Sequence, residues 1–471
     1  MRFIQSFLCR ISFTPESRKS NQFLRLLMVI FSALVLTLLS TPCSAVPAAT
    51  SALTLDDAVR LGLEKSRTLA IARLDRDMAG QKIRQTWSTV LPQITTGVTY
   101  TRTLKPSVLL LPLDSGFPSG ELKTSSDNAA RASIDVRQPL FNAAAFAGIR
   151  AASLVRKISD EAYRGAEATV VTDIKLAYFD VLISQEQVTL IEQSILRWEQ
   201  SRKDTRAMFR QGVSADIDTL KAYLSVENLR PDLLQAQHRV AISMTKLKNA
   251  MGIAVDRPVL LSSPLKPLIS QLPMDLGTAY REALDARPEL RQLTFQVEAE
   301  GENINVARAE RFPLLSAFGS IESQTAFNDG VRVADSKWPS SASVGLQLSM
   351  PLFTGYRISS QVEQAKIGQL QTRTRLEDLK ATVQAELEIR LSNVQDSKKR
   401  IEVQSKTISV AERSYKISAL RFKEGIGSRL ELTDAELQLN KAKTNYSQAV
   451  YDNLVAITQL EKALGRSGLL R

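Results

Sequence analysis

The sequence predicts a mainly α-helical protein with a small membrane β-barrel, in which each chain supplies long coiled-coil helical hairpins and four strands. Three observations lead to this fold class. The chain repeats its own pattern over most of its length, and each copy contains a helical run far longer than globular helices reach. Short segments of alternating polar and apolar residues lie between the helical runs.

The chain begins with a segment that reads as a secretory signal. The segment from Phe23 to Leu39 is mostly apolar, has basic residues before and near its start, and leads into Cys43-Ser44-Ala45, small residues that suit signal peptidase. We expect cleavage there, so residues 1–45 are left out of the fold, with an uncleaved membrane anchor as the alternative. The choice between Met1 and Met28 as the start of translation stays open.

The composition excludes several classes of protein. Both cysteines, Cys9 and Cys43, lie in the signal, so the mature chain has no thiol for a disulfide, a metal site or a nucleophile. The signal carries five basic and one acidic side chain, so the formal charge falls from +12 to +8, which does not favour nucleic acid as a partner. No later run reaches the ~18 apolar residues that a membrane helix needs.

The mature chain is an internal repeat. A shift of 221 positions aligns the opening helices of the two copies, and a shift of 213 aligns their later helices. These shifts place Leu69 on Leu290, Pro92 on Pro313 and Gly212 on Gly425. Each copy is about 200 residues long, far beyond a solenoid unit. The repeat predicts one structural unit over 46–252 and a second over 274–471, joined by an irregular crossover at 253–273.

Each copy opens with a helical pattern of about 37 residues that a proline ends, and Thr54 and Asp275 cap these two helices. A second run then continues without proline, from about Ala144 to Phe209 in the first copy and from about Tyr356 to Phe422 in the second. At 1.5 Å per residue, these runs are about 100 Å long. Such lengths predict coiled-coil packing along a rod.

Each long run reverses at a short segment that contains glycine, Gln211 to Ser214 in the first copy and Glu424 to Ser428 in the second. Return helices follow, from about Ala215 to Met251 and from about Ser428 to Leu464. Pro231 lies in the first return helix and predicts a kink, because proline lacks the amide hydrogen that a helix interior uses.

The strands lie at the opposite end of each copy from these tips. Apolar and polar residues alternate over 94–100, 132–137 and 342–350, which is typical of a barrel strand that faces lipid on one side and water on the other. A half-buried soluble sheet fits the same pattern. Polar loops near 103–128 and 324–340 join the strands and should project outward.

The strand number has a consequence for assembly. Four strands cannot close a barrel, and an open edge in lipid would leave backbone groups without hydrogen bonds. Three copies would supply 12 strands and six helical halves. We therefore expect a homotrimer in which the 12-stranded β-barrel is continuous with an α-helical barrel.

Several motifs recur in a fixed order over residues 53 to 465. They are Leu-Thr-Leu-Asp-Asp-Ala-Val at 53–59, Val-Leu-Pro-Gln-Ile at 90–94, Gln-Pro-Leu-Phe at 138–141, Met-Pro-Leu-Phe-Thr-Gly at 350–355 and Phe-x-x-Gly at 209 and 422. Each motif alone is common, but their order, spacing and duplication resemble the TolC-like outer membrane factor family. Members of this family are channel-tunnels of Gram-negative efflux and type I secretion.

The resemblance implies a passive exit duct in the outer membrane that extends into the periplasm, without catalysis or a cofactor. Its partners would be outer-membrane lipid, a periplasmic adaptor (membrane fusion protein) and an inner-membrane transporter of the RND, ABC or MFS type. The tips would contact the adaptor through Phe209, Gly212, Val213, Phe422, Gly425 and Ile426. The pump, the adaptor and the transported substrate, whether drug, metal ion or polypeptide, stay open.

The resemblance also assigns a periplasmic aperture, because Asp218, Glu431 and Asp434 match acidic positions that narrow the entrance in the family. Glu431 and Asp434 share one helix face, and threefold symmetry would gather six carboxylates into a ring that selects cations. Carboxylates at these positions also suit helix capping, which is the alternative.

The sequence departs from the family at the residue that closes the entrance. Family members use a tip arginine there, and Gly427 occupies that position in this chain. Arg210 and Arg429 are the candidates to replace it.

An enzyme is not expected. The single histidine, His238, lies in a return helix, and the sequence contains no nucleophile elbow and no phosphate-binding loop. The alternative to a channel is a periplasmic coiled-coil scaffold. The strand hairpins disfavour it, because a rod-shaped scaffold has no use for them.

Overall fold

The computed structural model describes residues 52–105, 107–110, 121–123, 125–267 and 275–466. The predicted signal peptide and the start of translation lie outside these residues. The described part of the predicted crossover is a loop, and its residue Leu261 forms a parallel β-bridge with Leu53 near the start of the first repeat. The division of the chain at 253–273 stays a prediction.

Helices make up most of both repeats. The first contains α1 (Leu55–Lys65), α2 (Arg67–Trp87), α3 (Ala143–Arg210), α4 (Asp216–Glu227) and α5 (Leu229–Met251). The second contains α6 (Leu276–Ala286), α7 (Pro288–Ala309), α8 (Arg357–Lys423) and α9 (Arg429–Ala463). The predicted long runs are confirmed as α3, of 68 residues, and α8, of 67. Among the helices of the described residues, none has both the length and the apolar composition needed to cross a membrane.

The opening helix of each repeat is broken, so the prediction of a single helix of about 37 residues is wrong in both copies. Ser66 and Arg287 have extended backbone, between α1 and α2 and between α6 and α7 respectively. Ser66 also caps α2 by accepting a hydrogen bond from the amide of Leu69, and Pro288 occupies the first turn of α7, where its fixed φ suits a helix start.

The close approach of another helix end explains both breaks. Gly252 ends α5 with φ of 71° and lies so close to the backbone of Lys65 that a Cβ atom on it would overlap that backbone. Gly465 ends α9 with φ of 76° and lies in the same way against the backbone of Ala286. Only glycine fits at these two positions.

The first return helix is interrupted near Pro231, whereas the kink predicted there stays a prediction. The helix is interrupted at Asn228, between α4 and α5, and Pro231 lies in the first turn of α5, where its missing amide hydrogen costs no helical bond. The return helix of the second repeat, α9, has Thr444 at the matching position and runs for 35 residues without a break.

The two repeats have matching hydrophobic cores. Core residues of α3 in the first repeat correspond, 213 positions later, to core residues of α8 in the second. The pairs are Val170 with Val383, Ile174 with Leu387, Tyr178 with Leu391 and Val181 with Val394. Their spacing places them on one helix face. The shift of 213 positions therefore relates the repeats in space as well as in sequence.

The long helices lie side by side in a fixed order. α3 packs against α4 and α5 within the first hairpin, and α8 packs against α9 within the second. α9 also packs against α3 and so joins the two repeats. The order is therefore α8, α9, α3, and then α4 with α5.

The strands form an antiparallel sheet at the other end of the long helices. Its order is β1 (Gln93–Arg102), β4 (Asn128–Phe141), β5 (Leu314–Phe327) and β6 (Ser340–Ser349), which confirms four strands per chain. The central pair, β4 with β5, joins the two repeats. β1 and β6 are the edges of this sheet.

The structure corrects the two predicted loops. The loop at 103–128 contains a ribbon in which β2 (Val108–Leu110) pairs with β3 (Glu121–Lys123) in antiparallel orientation. The loop predicted to begin at Gln324 starts later, because β5 continues to Phe327 in register with β4.

The sheet has one apolar face and one polar face, as the alternation predicts. On the apolar face Ile94 pairs with Val136, and these side chains are exposed in the single chain. On the polar face Thr95 lies opposite Asp135, which lies opposite Ser320 on the next strand. Lipid on the first face and water on the second would suit both sets of residues.

Candidate functional site at the helical tips

Both long hairpins turn through the same backbone motif. Gly212 and Gly425 follow α3 and α8 with φ of 75° and 73°, a conformation that suits glycine. The next residue, Val213 or Ile426, donates its amide hydrogen to the carbonyl five positions earlier, over 2.9 Å and 3.0 Å. This arrangement is a Schellman motif in both repeats, and it explains why the turns are short.

The predicted contact residues of the tips differ in exposure. Val213 is 65% exposed and Ile426 is 72% exposed, so each tip presents an apolar side chain. Phe209 is also exposed, whereas Phe422 is buried in the second hairpin. The side chain of Phe422 therefore supports the tip from within.

The structure shows why no arginine occupies position 427. The amide of Gly427 donates to the carbonyl of Arg421 over 2.9 Å, which brings the two backbones together. A Cβ atom on Gly427 would lie 2.9 Å from the backbone nitrogen of Phe422, closer than side chains pack. Any side chain at this position would therefore force the turn apart.

Arg429 links the two hairpins across the tip. Its guanidinium donates to Oγ1 of Thr205 over 3.2 Å and to Oγ of Ser225 over 3.3 Å, and both acceptors belong to the first repeat. Its Cζ atom lies 6.0 Å from the ring centre of the buried Trp198. Burial lowers the pKa of Arg429, and the nearby charge of Asp218 opposes that shift.

The other candidate arginine has a different setting. Arg210 is exposed at the end of α3. Among the residues that the structure describes, it has no ion-pair partner. The geometry therefore favours Arg429 over Arg210 as a residue that holds the hairpins together.

A cavity of about 740 Å³ lies between the two tips. Both repeats line it, with apolar side chains such as Val213 and Leu430 and charged side chains that include Asp218, Lys221 and Arg429. A partner that entered this cavity would contact both hairpins and the arginine that joins them.

The structure does not gather the three candidate carboxylates within one chain. Asp218 lines the cavity and accepts a hydrogen bond from Oγ of Ser214 over 3.2 Å. Glu431 lies in the first turn of α9, and its Oε1 is 3.4 Å from Nε of Arg421. Asp434 is exposed on the same helix. A carboxylate ring would therefore require other copies of the chain.

A buried cluster that was not predicted from the sequence lies two turns from Arg429 along α9. Glu436 is only 2% exposed, and Nε of Arg197 donates to both of its oxygens over 2.9 Å. Oγ of Ser194 donates to the same carboxylate over 3.0 Å. Burial raises the pKa of Glu436, and the charge of Arg197 opposes the increase. The available signal was the place of Glu436 on the apolar face of α9, between Leu432 and Leu439.

A family model matches both repeats of the chain. The model described as "Outer membrane efflux protein" matches residues 58–253 and 279–466. The matched segments contain the tips, the cavity, Arg429 and the buried cluster around Glu436.

Named relatives cover most of the chain. Outer membrane protein TolC of Vibrio cholerae is 21% identical over 409 residues, which cover 85% of this chain and 88% of the relative. Alkaline protease secretion protein AprF of Pseudomonas aeruginosa is 23% identical over 345 residues, which cover 72% of this chain and 71% of AprF. The solved structure of the outer-membrane channel OprN has a TM-score of 0.71 at 19% identity and covers 87% of this chain and 89% of that one. The likeness to OprN shows a common fold.

Proposed function

Since this chain belongs to the outer membrane efflux protein family, we propose that it is the passive exit channel of a tripartite efflux pump or a type I secretion system. It lies in the outer membrane of a Gram-negative bacterium and extends into the periplasm. The observation that carries this function is an open sheet with one apolar face, joined to two long hairpins with exposed tips.

The channel forms when three copies assemble. β1 and β6 each have an unpaired edge in the described chain, and such edges cannot face lipid. Three four-stranded sheets would supply 12 strands and pair every edge. The apolar face, with Ile94 and Val136, would then contact lipid, and the polar face, with Asp135, would line water.

The two tips form the docking site for a periplasmic adaptor. A Cβ atom on Gly212 would meet nothing within 4 Å, so a partner has room to approach the backbone there. Val213 and Ile426 offer exposed apolar contacts, and the cavity between the tips can receive a side chain. The chain performs no catalysis of its own, and an inner-membrane transporter of the RND, ABC or MFS type supplies the energy.

Arg429 holds the closed state of the periplasmic entrance. It replaces the arginine that Gly427 cannot provide, and its bonds to Thr205 and Ser225 join one hairpin to the other. Asp218, Glu431 and Asp434 line the aperture in the trimer and favour cations there.

Fractionation combined with a mass measurement tests the function. The protein should be found in the outer-membrane fraction, migrate as a heat-sensitive oligomer on a denaturing gel, and have the mass of three chains in detergent. The purified trimer should also conduct ions in a planar bilayer. A single chain that conducts ions would contradict the trimer.

The alternative, a periplasmic scaffold, predicts a different outcome. A scaffold would be released with the soluble periplasmic fraction and would not conduct ions. The exposed apolar side chains of the sheet, such as Val98 and Val344, disfavour it, because they would remain in water.

A further inference from the structure

The contact between α3 and α9 within one chain is a seam with a defined set of bonds. Near the tip, Arg429 of α9 reaches Thr205 of α3. Farther from the tip, Nζ of Lys175 on α3 lies 2.9 Å from Oε2 of Glu461 on α9, and both side chains are largely buried. The seam therefore brings oppositely charged residues of the two repeats together at a fixed height.

The internal repeat defines a second seam of the same geometry. α8 is the counterpart of α3, and α4 with α5 is the counterpart of α9. Because the spatial order is α8, α9, α3, and then α4 with α5, these counterparts lie at opposite ends of one chain. They can meet in the way α3 meets α9 only if α8 belongs to a second copy.

The charges of this second seam are complementary. A shift of 213 positions takes Lys175 to Glu388 on α8, and the reverse shift takes Glu461 to Lys248 on α5. The second seam can therefore form an ion pair at the same position, with the glutamate on α8 and the lysine on α5. Glu388 is exposed and has no bonding partner among the residues that the structure describes. Lys248 donates one hydrogen bond to the carbonyl of Val255 over 2.7 Å, which leaves its other hydrogens for a carboxylate.

Apolar residues at the same seam are also complementary. The buried pair Arg197 and Glu436 corresponds to Val410 on α8 and Tyr223 on α4. In one chain Val410 is 69% exposed and Tyr223 is 51% exposed, so neither has the burial that its counterpart has. Contact between two copies would cover both side chains and remove apolar surface from water.

We propose that α8 of one copy packs against α4 and α5 of the next copy in the register of the α3–α9 seam, with Glu388 paired to Lys248. The proposal rests on the trimeric channel of the proposed function and adds the register of its subunit contact. The same seam would then occur three times within chains and three times between them.

Site-directed crosslinking tests this register. After signal cleavage the expected mature chain has no cysteine, so the double variant Lys248→Cys/Glu388→Cys reacts only at the introduced positions. A short thiol-specific crosslinker applied to outer membranes should shift most of the protein to the mass of two and three chains. Lys248→Cys/Lys406→Cys is the matched control, because Lys406 lies 18 residues from Glu388 on α8, about 27 Å along the helix. It should give little crosslink.

The outcomes separate this register from the proposed function. An intact trimer without a crosslink between positions 248 and 388 overturns the register but not the proposed channel. The same holds if these positions crosslink only to an adaptor. A monomer overturns both. As an independent measurement, Glu388→Lys should lower the temperature at which the trimer dissociates, and adding Lys248→Glu should restore it. No change in either variant would also overturn the pairing.

Discussion

The tip of the first repeat and the tip of the second have the same backbone turn but different chemistry. The first has an exposed Phe209, and Ala215 at the start of α4 provides no side-chain cap. The second buries Phe422, and Ser428 caps α9 by accepting a hydrogen bond from the amide of Glu431. The two repeats therefore share the backbone turn but differ in the side chains that surround it.

The link between the tips runs in one direction. Arg429 of the second repeat reaches into the first, and its counterpart in the first repeat is Asp216, which is exposed. The return helices differ in the same sense, since α9 is continuous and the first return helix breaks at Asn228. We infer that the second hairpin closes the entrance, and that the first hairpin supplies the side chains to which it binds.

The largest expected effect concerns the turn glycine that both tips share. Gly425→Trp should abolish export, because a bulky side chain at positive φ blocks the partner's approach and strains the turn. Gly212→Trp should do the same. Export by cells that carry each variant gives the measurement, with trimer content and membrane insertion unchanged. Gly330→Trp is the control, because Gly330 also has positive φ and open space but lies in the loop before β6. Normal export from both tip variants would contradict the docking site.

The next effect concerns the buried pair Arg197–Glu436, whose counterparts in the repeat, Val410 and Tyr223, carry no charge. Glu436→Leu should lower the free energy of unfolding by about 3–5 kcal/mol, because it leaves the charge of Arg197 buried without its partner. Arg197→Met added to Glu436→Leu makes this pair apolar, like Val410 and Tyr223, and should recover most of the loss. Denaturant unfolding measures both. Equal stability of the single and double variants would show that the pair is not coupled.

A smaller effect tests whether Arg429 of the second hairpin holds the entrance closed, while its counterpart in the first hairpin, Asp216, does not. Arg429→Ala removes the two hydrogen bonds that Arg429 makes to the first hairpin, so the closed state should weaken and single-channel conductance in a planar bilayer should rise. Asp216→Ala changes the matching position of the first repeat and should leave conductance unchanged. If both variants conduct like the original chain, Arg429 does not hold the entrance closed.

The smallest effect concerns the aperture carboxylates. Glu431→Gln/Asp434→Asn keeps size and polarity but removes two charges from each chain. Preference for cations in planar bilayers should fall, and the difference should shrink at high salt because ions screen the remaining charges. Unchanged selectivity in an open trimer would mean that these carboxylates only stabilise the N-terminal part of their helix.

Local signals were enough to predict the long helices and the tips. The run from Ala144 to Phe209 contains no proline and ends before a glycine, and α3 matches it within one residue at each end. The alternation of the strands likewise predicted the two faces of the sheet, because a strand exposes its side chains with a period of two.

Long-range packing decided the features that the sequence did not predict. Ser66 lies inside a regular helical pattern, and the break there follows from the approach of Gly252, a residue far along the chain. The roles of Arg429 and Glu436 depend on which side chains of α3 face them, more than 200 positions away. A period of hydrophobic residues shows which face of a helix is buried but does not identify the helix that covers it.

The exchange of charges between Lys175–Glu461 and Lys248–Glu388 bears on the fidelity of assembly. Because Lys175 and Glu461 already pair within one chain, a contact between the first hairpins of two copies would bring Lys248 against Lys248. A contact between two second hairpins would bring Glu388 against Glu388. Like charges at a largely buried contact repel, so such rings would be rejected. Only the alternating order places a glutamate opposite every lysine. The charges therefore favour a ring in which first and second hairpins alternate.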